Sequence, residues 1–334
     1  MVLILDDGEI GSLLDVGSLL DPVRDALVKQ AAGAVERPQR PHFPVGAGLD
    51  GDEPHGTALT MPAYVHGEEH YVTKLASVHE ENPERGLPAV QAQIVLTEAR
   101  TGRPAAYMAG TRITNARTGC VGGLAVRALA SEPVRLAVIG AGAQARWQTR
   151  AIAAAATVED VRVYSPSDSR FECAADLRDE GIPASAADSA ADAVRGATVV
   201  VTATTAAEPV FPPDALTAEL VIAVGAYDAD TRELDAAVLE RAATVFAGVP
   251  VEAAETGDVL PTDLGPDDLV PLAAALTGEA GDLVVVESVG SAVLDLAAAT
   301  AVYERAQGAG VGRELSLSGE NEGGSANGGG DRDE

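Results

Sequence analysis

Two rhythms of apolar and polar residues run along the chain, and one gives way to the other near residue 131. In the first part, Gly56–Tyr64, His70–Val78 and Val90–Glu98 alternate with the two-residue period of half-buried strands. Thr101-Gly102 supplies a turn ahead of Ala105–Ala109, which predicts a hairpin. Asp21-Pro22, an acidic cap followed by a proline suited to a first turn, predicts a helix running to Val35. A Pro/Gly-rich stretch from Pro38 to Pro54 follows, and Thr114–Leu129 is small and helix-forming. Beyond residue 131 the strands become wholly apolar. Val134–Ile139 runs into a glycine turn and the Ala-rich helix Arg146–Ala156. Then come strand Val161–Tyr164, helix Arg170–Glu180, and strands Ala197–Thr202, Leu220–Val224 and Ala243–Phe246. Apolar strands alternating with helices predict an α/β fold with a parallel, doubly wound sheet. A final Ala-rich helix, Ala292–Gln307, is placed to return to the first part. No internal repeat is visible.

Composition adds a core and a charge problem. Of 334 residues 46% are hydrophobic, so a sizeable interior can form. No apolar run approaches the roughly 18 residues of a membrane span. The opening MVLILDDGEIGSLLD lacks the basic start and cleavage site of a secretory signal. Cys120 and Cys173 are too few for a disulfide framework, which predicts a soluble, cytoplasmic protein. The net charge is −28, from 51 acidic and 23 basic residues, and only two of the basic residues, Lys29 and Lys74, are lysine. The acids are spread over the whole chain, so the repulsion needs screening, which predicts a halophilic protein from a salty cytoplasm. An acidic-partner protein is the alternative. Such a surface excludes nucleic acid as a partner.

The strongest motif is Gly140-Ala141-Gly142-Ala143-Gln144-Ala145, directly after a strand and opening a helix. Gly140 permits the tight turn, Gly142 lets the backbone approach a diphosphate, and Ala145 lets the helix lie on the strand. This predicts a Rossmann-type domain over residues 131–290 that binds NAD or NADP. Residues 1–130 with 291–313 form an α+β substrate and dimerisation domain, and the Gly/Ser/acid-rich residues 314–334 form a disordered tail. An acid at the end of the next strand would hold the ribose of NAD. Ser165 stands there, with Arg170 close by, which favours NADP, while Asp168 keeps NAD open. Thr202, Thr204, Val224 and Gly225 fall at the carboxyl ends of later strands, where cofactor and substrate meet in such sheets.

Lys74 sits on a predicted strand in a chain that nearly avoids lysine. A half-buried charge is costly unless paired or used, and lysine is the basic residue whose pKa can be shifted into a working range. The alternative is a lysine on the solvent face. Arg117, near a predicted helix start, can grip a carboxylate through two bonds or form a surface ion pair. His42, His55, His66, His70 and His79 share no metal-ligand spacing.

From KLASVHEENPERGLPAVQAQIVLTEARTGRPAAYMAGTRITNARTG through AVIGAGAQA and VGAYDADTRELD to ESVGSAVLDLAAA, the chain resembles the ornithine cyclodeaminase/mu-crystallin family. The resemblance runs from Arg40 to Tyr303. It implies a homodimer, with Lys74 as the proton-handling lysine and Arg117, with Arg40, on the substrate carboxylate. Ala143, Gln144, Thr204, Val224, Gly225 and Val289 match cofactor contacts, and Gly290 borders the substrate. Three positions depart from the cyclodeaminase pattern. Leu59 replaces an acid two residues before Met61-Pro62, Tyr227 replaces the catalytic aspartate with Asp228 one residue late, and Ala89 replaces a threonine. The ammonium of ornithine would then lack an anionic partner. The expectation is an NAD(P)-dependent amino-acid or imino-acid oxidoreductase, alanine dehydrogenase first and ketimine reductase beside it, with Asp228 as a second proton-transfer group. Ornithine cyclodeaminase and a non-catalytic cofactor-binding protein are the alternatives.

Overall fold

The computed structural model describes residues 1–276 and 282–317. The first part comprises β1 (Val2–Leu5), α1 (Asp7–Leu13), α2 (Val16–Ala31), β2 (Val35–Glu36), β3 (His42–Val45), β4 (Gly56–Val65), β5 (His70–Val78), β6 (Val90–Glu98), β7 (Pro104–Ala109) and α3 (Gly110–Leu129). The second part follows with β8 (Val134–Ile139), α4 (Ala143–Ala155), β9 (Val158–Tyr164), α5 (Ser169–Asp179), β10 (Ala184–Ala186), α6 (Ala190–Val194), β11 (Val199–Thr202) and β12 (Leu220–Ala223). It continues with α7 (Ala236–Arg241), β13 (Thr244–Ala247), α8 (Pro250–Ala253), β14 (Val270–Pro271), α9 (Leu272–Ala275) and β15 (Val284–Glu287). Helix α10 (Ala292–Ala309) and β16 (Arg313–Leu315) close the described chain.

Two sheets result. The first has the order β16-β1-β7-β6-β5-β4-β2, with β3 also paired to β4. It is antiparallel except for the β1–β7 pair. The second, β10-β9-β8-β11-β12-β15-β13-β14, is parallel throughout. Its central strands β11 and β12 are buried at every position, as apolar strands covered by helices on both faces must be. The α/β fold read from the sequence is therefore the observed one, and α10 does return to the first sheet, packing on α2, α3, β4 and β5.

Close approach of α3 and α4 fixes one part against the other. A Cβ on Gly119 of α3 would lie 2.5 Å from the Trp147 carbonyl oxygen of α4, so only glycine permits that distance.

Two expectations, the start of α2 and the start of the tail, are corrected. The helix expected from Asp21-Pro22 starts at Val16, where the Asp15 carboxylate caps the Gly17 N–H, and Pro22 lies in its interior. Burial of Leu19, Leu20, Val23 and Leu27 outweighs the one bond that proline forgoes. The stretch from Pro38 to Pro54 contains strand β3. The tail does not begin at Glu314, since Arg313–Leu315 pair antiparallel with β1, Val2 opposite Leu315. Residues 318–334 of the expected tail lie outside the described residues. No described helix is long and apolar enough to cross a membrane.

Candidate active site

The glycine turn is built as the sequence requires. Gly140 has φ +112°, and a Cβ there would lie 2.3 Å from the Ala203 carbonyl oxygen. Its N–H bonds the Tyr164 carbonyl at 2.8 Å, tying the turn to the end of β9. Gly142 caps α4 with no side chain on the helix N–H groups, and a Cβ there would meet nothing within 4 Å. Ala141 and Ala145 are buried beneath. Ala143 opens α4, and Gln144 donates from Nε2 to Asn115 Oδ1 of α3 at 2.8 Å. A helix N-terminus with free N–H groups and open space above is what a diphosphate needs, so the residues present fit a dinucleotide.

At the end of β9, Ser165, Ser167 and Ser169 form a ring of hydroxyls, Ser167 and Ser169 2.6 Å apart. Arg170 clasps this loop from Nη1, donating to the Ser165 and Ser167 carbonyls at 3.1 and 2.8 Å. The loop carries one acid, Asp168, which caps α5 without a side-chain hydrogen bond.

On the first sheet, Lys74 shares its inner face with Val72 while Tyr71 and Leu75 point outward. Its side chain is 3% exposed and its Nζ lies 2.6 Å from Asp295 Oδ2. Arg117 of α3, also buried, donates from Nε to Asp295 Oδ1 at 2.8 Å. Asp295 of α10 is fully buried between them. Burial lowers the Lys74 pKa to about 8, against the opposing pull of Asp295 and with Arg117 and Arg40 adding to the depression. Burial alone would raise Asp295, yet Arg117 and Lys74 hold its carboxyl below the usual range. The second sheet reaches this group directly. A Cβ on Gly290, just past β15, would lie 2.9 Å from Arg117 Nη2.

Residues 2–310 match the model of the ornithine cyclodeaminase/mu-crystallin family. The chain belongs to that family. A Δ1-pyrroline-2-carboxylate reductase of Burkholderia multivorans is 30% identical over 302 residues, covering 88% of this chain and 93% of that protein. The structure of Thermococcus litoralis Δ1-pyrroline-2-carboxylate reductase, in complex with NADH and L-proline, superposes with a TM-score of 0.87 at 28% identity, covering 94% and 100% of the two chains. An archaeal alanine dehydrogenase dimer with bound NAD gives 0.85 at 27% identity, covering 95% and 99%. These relatives agree with the expected oxidoreductase.

In this family member the remaining expected residues fall into two groups. Thr204, Val224, Gly225 and Val289 stand at the ends of β11, β12 and β15, on the edge that carries the glycine turn. Arg40 donates to the Tyr227 carbonyl at 3.4 Å, pairs with Glu252 at 3.3 Å and adds its charge to those acting on Lys74. Two residues face elsewhere. Thr202 is fully buried and its hydroxyl bonds Glu233 at 2.8 Å, so it lies under the edge. Asp228 Oδ1 accepts from the Thr231 N–H at 3.0 Å, the Thr231 hydroxyl at 2.9 Å and the Asp230 N–H at 3.1 Å. Its carboxylate closes its own loop and is absent from the charges acting on Lys74. Tyr227, in the family aspartate's place, is pushed up to about 12 by burial, with Asp228 and Glu80 adding to it. Asp295 was not singled out. Its one signal is an acid inside the apolar run Ser291-Ala292-Val293-Leu294-Asp295-Leu296. Among the described residues no cluster of His, Cys, Asp or Glu is arranged to hold a metal ion.

Proposed function

We propose that this chain reduces the C=N bond of a cyclic 2-imino acid, of the Δ1-pyrroline-2-carboxylate kind, with NADH or NADPH. One observation carries the reading: the buried Lys74–Asp295–Arg117 group, set against the strand ends beside the glycine turn. Two cations share one carboxylate there, which leaves a positive charge for a substrate carboxylate to neutralise. Arg117 gives its Nε to Asp295 and keeps its Nη groups, beside Gly290, for that carboxylate. Arg40 closes the rim. A bound reduced dinucleotide supplies the hydride taken up at the imine carbon. Lys74, with a pKa of about 8, holds at Nζ the proton that the ring nitrogen requires. Hydride and proton together account for the two hydrogens added across the bond.

The serine ring and Arg170 support acceptance of the extra phosphate of NADP. The reading includes a homodimer, since Tyr71, Leu75 and Tyr107 stay 36%, 46% and 41% exposed on the outer face of the first sheet. It also includes a salt-rich cell interior. Reductive amination of pyruvate is the second reading, favoured by the archaeal alanine dehydrogenase. Cyclodeamination lacks support, because Leu59 and Tyr227 leave the ammonium of ornithine without an anion and Asp228 is bound to its own loop. A non-catalytic role leaves the buried Lys74–Asp295–Arg117 group without a purpose.

Purified protein in molar KCl, given Δ1-pyrroline-2-carboxylate and NADH or NADPH, is expected to form L-proline with equimolar loss of reduced dinucleotide. Turnover of pyruvate and ammonia alone would favour the second reading. Binding of dinucleotide without turnover of either substrate would refute the catalytic reading.

A further inference from the structure

Three acids lie buried behind the edge where β11 and β12 end: Glu233, Asp258 and Glu287, each with no exposed surface. Glu233 has the most partners. Its Oε1 accepts from the Thr204 N–H at 2.6 Å and the Thr204 hydroxyl at 2.8 Å. Its Oε2 accepts from the Thr202 hydroxyl at 2.8 Å, the Gly225 N–H at 2.7 Å and the Val224 N–H at 3.3 Å. One carboxylate thus binds the backbone of both strand ends. Asp258 holds that carboxylate's own segment, its Oδ1 accepting from the Glu233 and Leu234 N–H groups at 2.6 and 2.7 Å. Glu287 ends β15, and neither of its carboxyl oxygens has a hydrogen-bond partner. Its flanking strands β12 and β13 carry no titratable side chain, so Glu233 and Asp258 are the groups that act on it, and Arg232 acts in turn on Asp258.

Burial and these two neighbours push the Glu287 carboxyl well above its ordinary pKa. Glu233 is raised to about 7, by burial first and Asp258 second, against the pull of its own donors. A carboxylate that accepts five donors loses acceptors when it takes a proton, and the strand ends then lose their tie.

We propose that Glu233 is a positioning residue for the dinucleotide, its ionised carboxylate clamping the ends of β11 and β12 into the shape the cofactor lies on. The inference rests on the reading that this edge binds a dinucleotide, and it adds a residue that touches neither cofactor nor substrate. It makes dinucleotide affinity depend on one proton.

NADH affinity, measured by fluorescence titration across pH, tests it. In the unaltered chain the affinity is expected to weaken below pH 7 in a one-proton step. Glu233→Gln places an amide against N–H donors and is expected to lower affinity tenfold or more at neutral pH and abolish the step. Asp258→Asn keeps an acceptor for the two N–H groups while removing a charge, which moves the step to lower pH. If Glu233→Gln does not fold, Thr202→Val, which removes one donor from beneath the edge, is expected to weaken NADH about threefold. An unchanged affinity in Glu233→Gln or in that substitute, or a step that stays put in Asp258→Asn, overturns the inference alone. An unaltered chain that binds neither NADH nor NADPH overturns the inference and the reading beneath it.

Discussion

Lys74, Arg117 and Asp295 come from β5, α3 and α10, three elements far apart in sequence, and meet with under 5% of any side chain exposed. Replacing Lys74 by Met removes the proposed proton donor and leaves the glycine turn intact. Turnover is expected to fall by about 10²-fold or more, with dinucleotide affinity nearly unchanged; activity that survives would end the assignment. In its proposed role Lys74 works as an ammonium, so kcat/KM is expected to decline as pH rises through about 8. Asp295 raises that pKa, so Asp295→Asn moves the alkaline limb to lower pH. It also leaves two buried cations unpaired, at a cost of about 3–5 kcal/mol in a denaturant melt. Lys74 was legible because a lysine on an alternating strand is conspicuous in a chain that otherwise uses arginine. Arg117 was legible through the family resemblance. Asp295 was not, since its partners lie 221 and 178 positions away and helix periodicity gives no hint of them. Asp228 was read from its adjacency to the family position, which says nothing about where a loop aims its carboxylate.

The strand–turn–helix unit from Val134 to Ala155 read most directly, because its apolar run, its glycines and its helix are contiguous. The open space above Gly142 gives a discriminating variant. Gly142→Ala has no clash and an ordinary φ of −84°, so the thermal midpoint should hold, yet the added methyl enters the space assigned to the diphosphate. Dinucleotide affinity is expected to fall about tenfold, near 1.4 kcal/mol, in the same fluorescence titration. An unaffected affinity would mean that the diphosphate lies elsewhere. Short elements were the ones missed: β1, β10 and β16 have four residues or fewer, too few to display a period. The early start of α2 was hidden by a preference for proline in a first turn. Packing of the helix on the core overrode that preference.

For the molecule as a whole, the net charge of −28 is a self-repulsion that salt screens. Raising salt from about 0.1 to 1 M shortens the screening length from about 10 to 3 Å. Exposed pairs such as Arg24–Asp21 contribute little in either case. The thermal midpoint is therefore expected to rise with KCl, each ~1 kcal/mol of relieved repulsion adding about 2–4 °C; a midpoint that falls with salt would remove the halophilic reading. The division into an alternating part and an apolar-strand part was visible in the sequence because burial on one face or two leaves different periods. Contact between the parts was legible in the return of α10 but not in the close approaches at Gly119 and Gly290, since neither glycine announces a partner.

A crystal structure of the chain with NADH and L-proline tests the central claim most directly. The account places the diphosphate over residues 140–145, the proline carboxylate on Arg117, and the ring nitrogen within hydrogen-bonding distance of Lys74 Nζ. Proline bound away from Lys74 and Arg117, or a dinucleotide bound off the glycine turn, would contradict it.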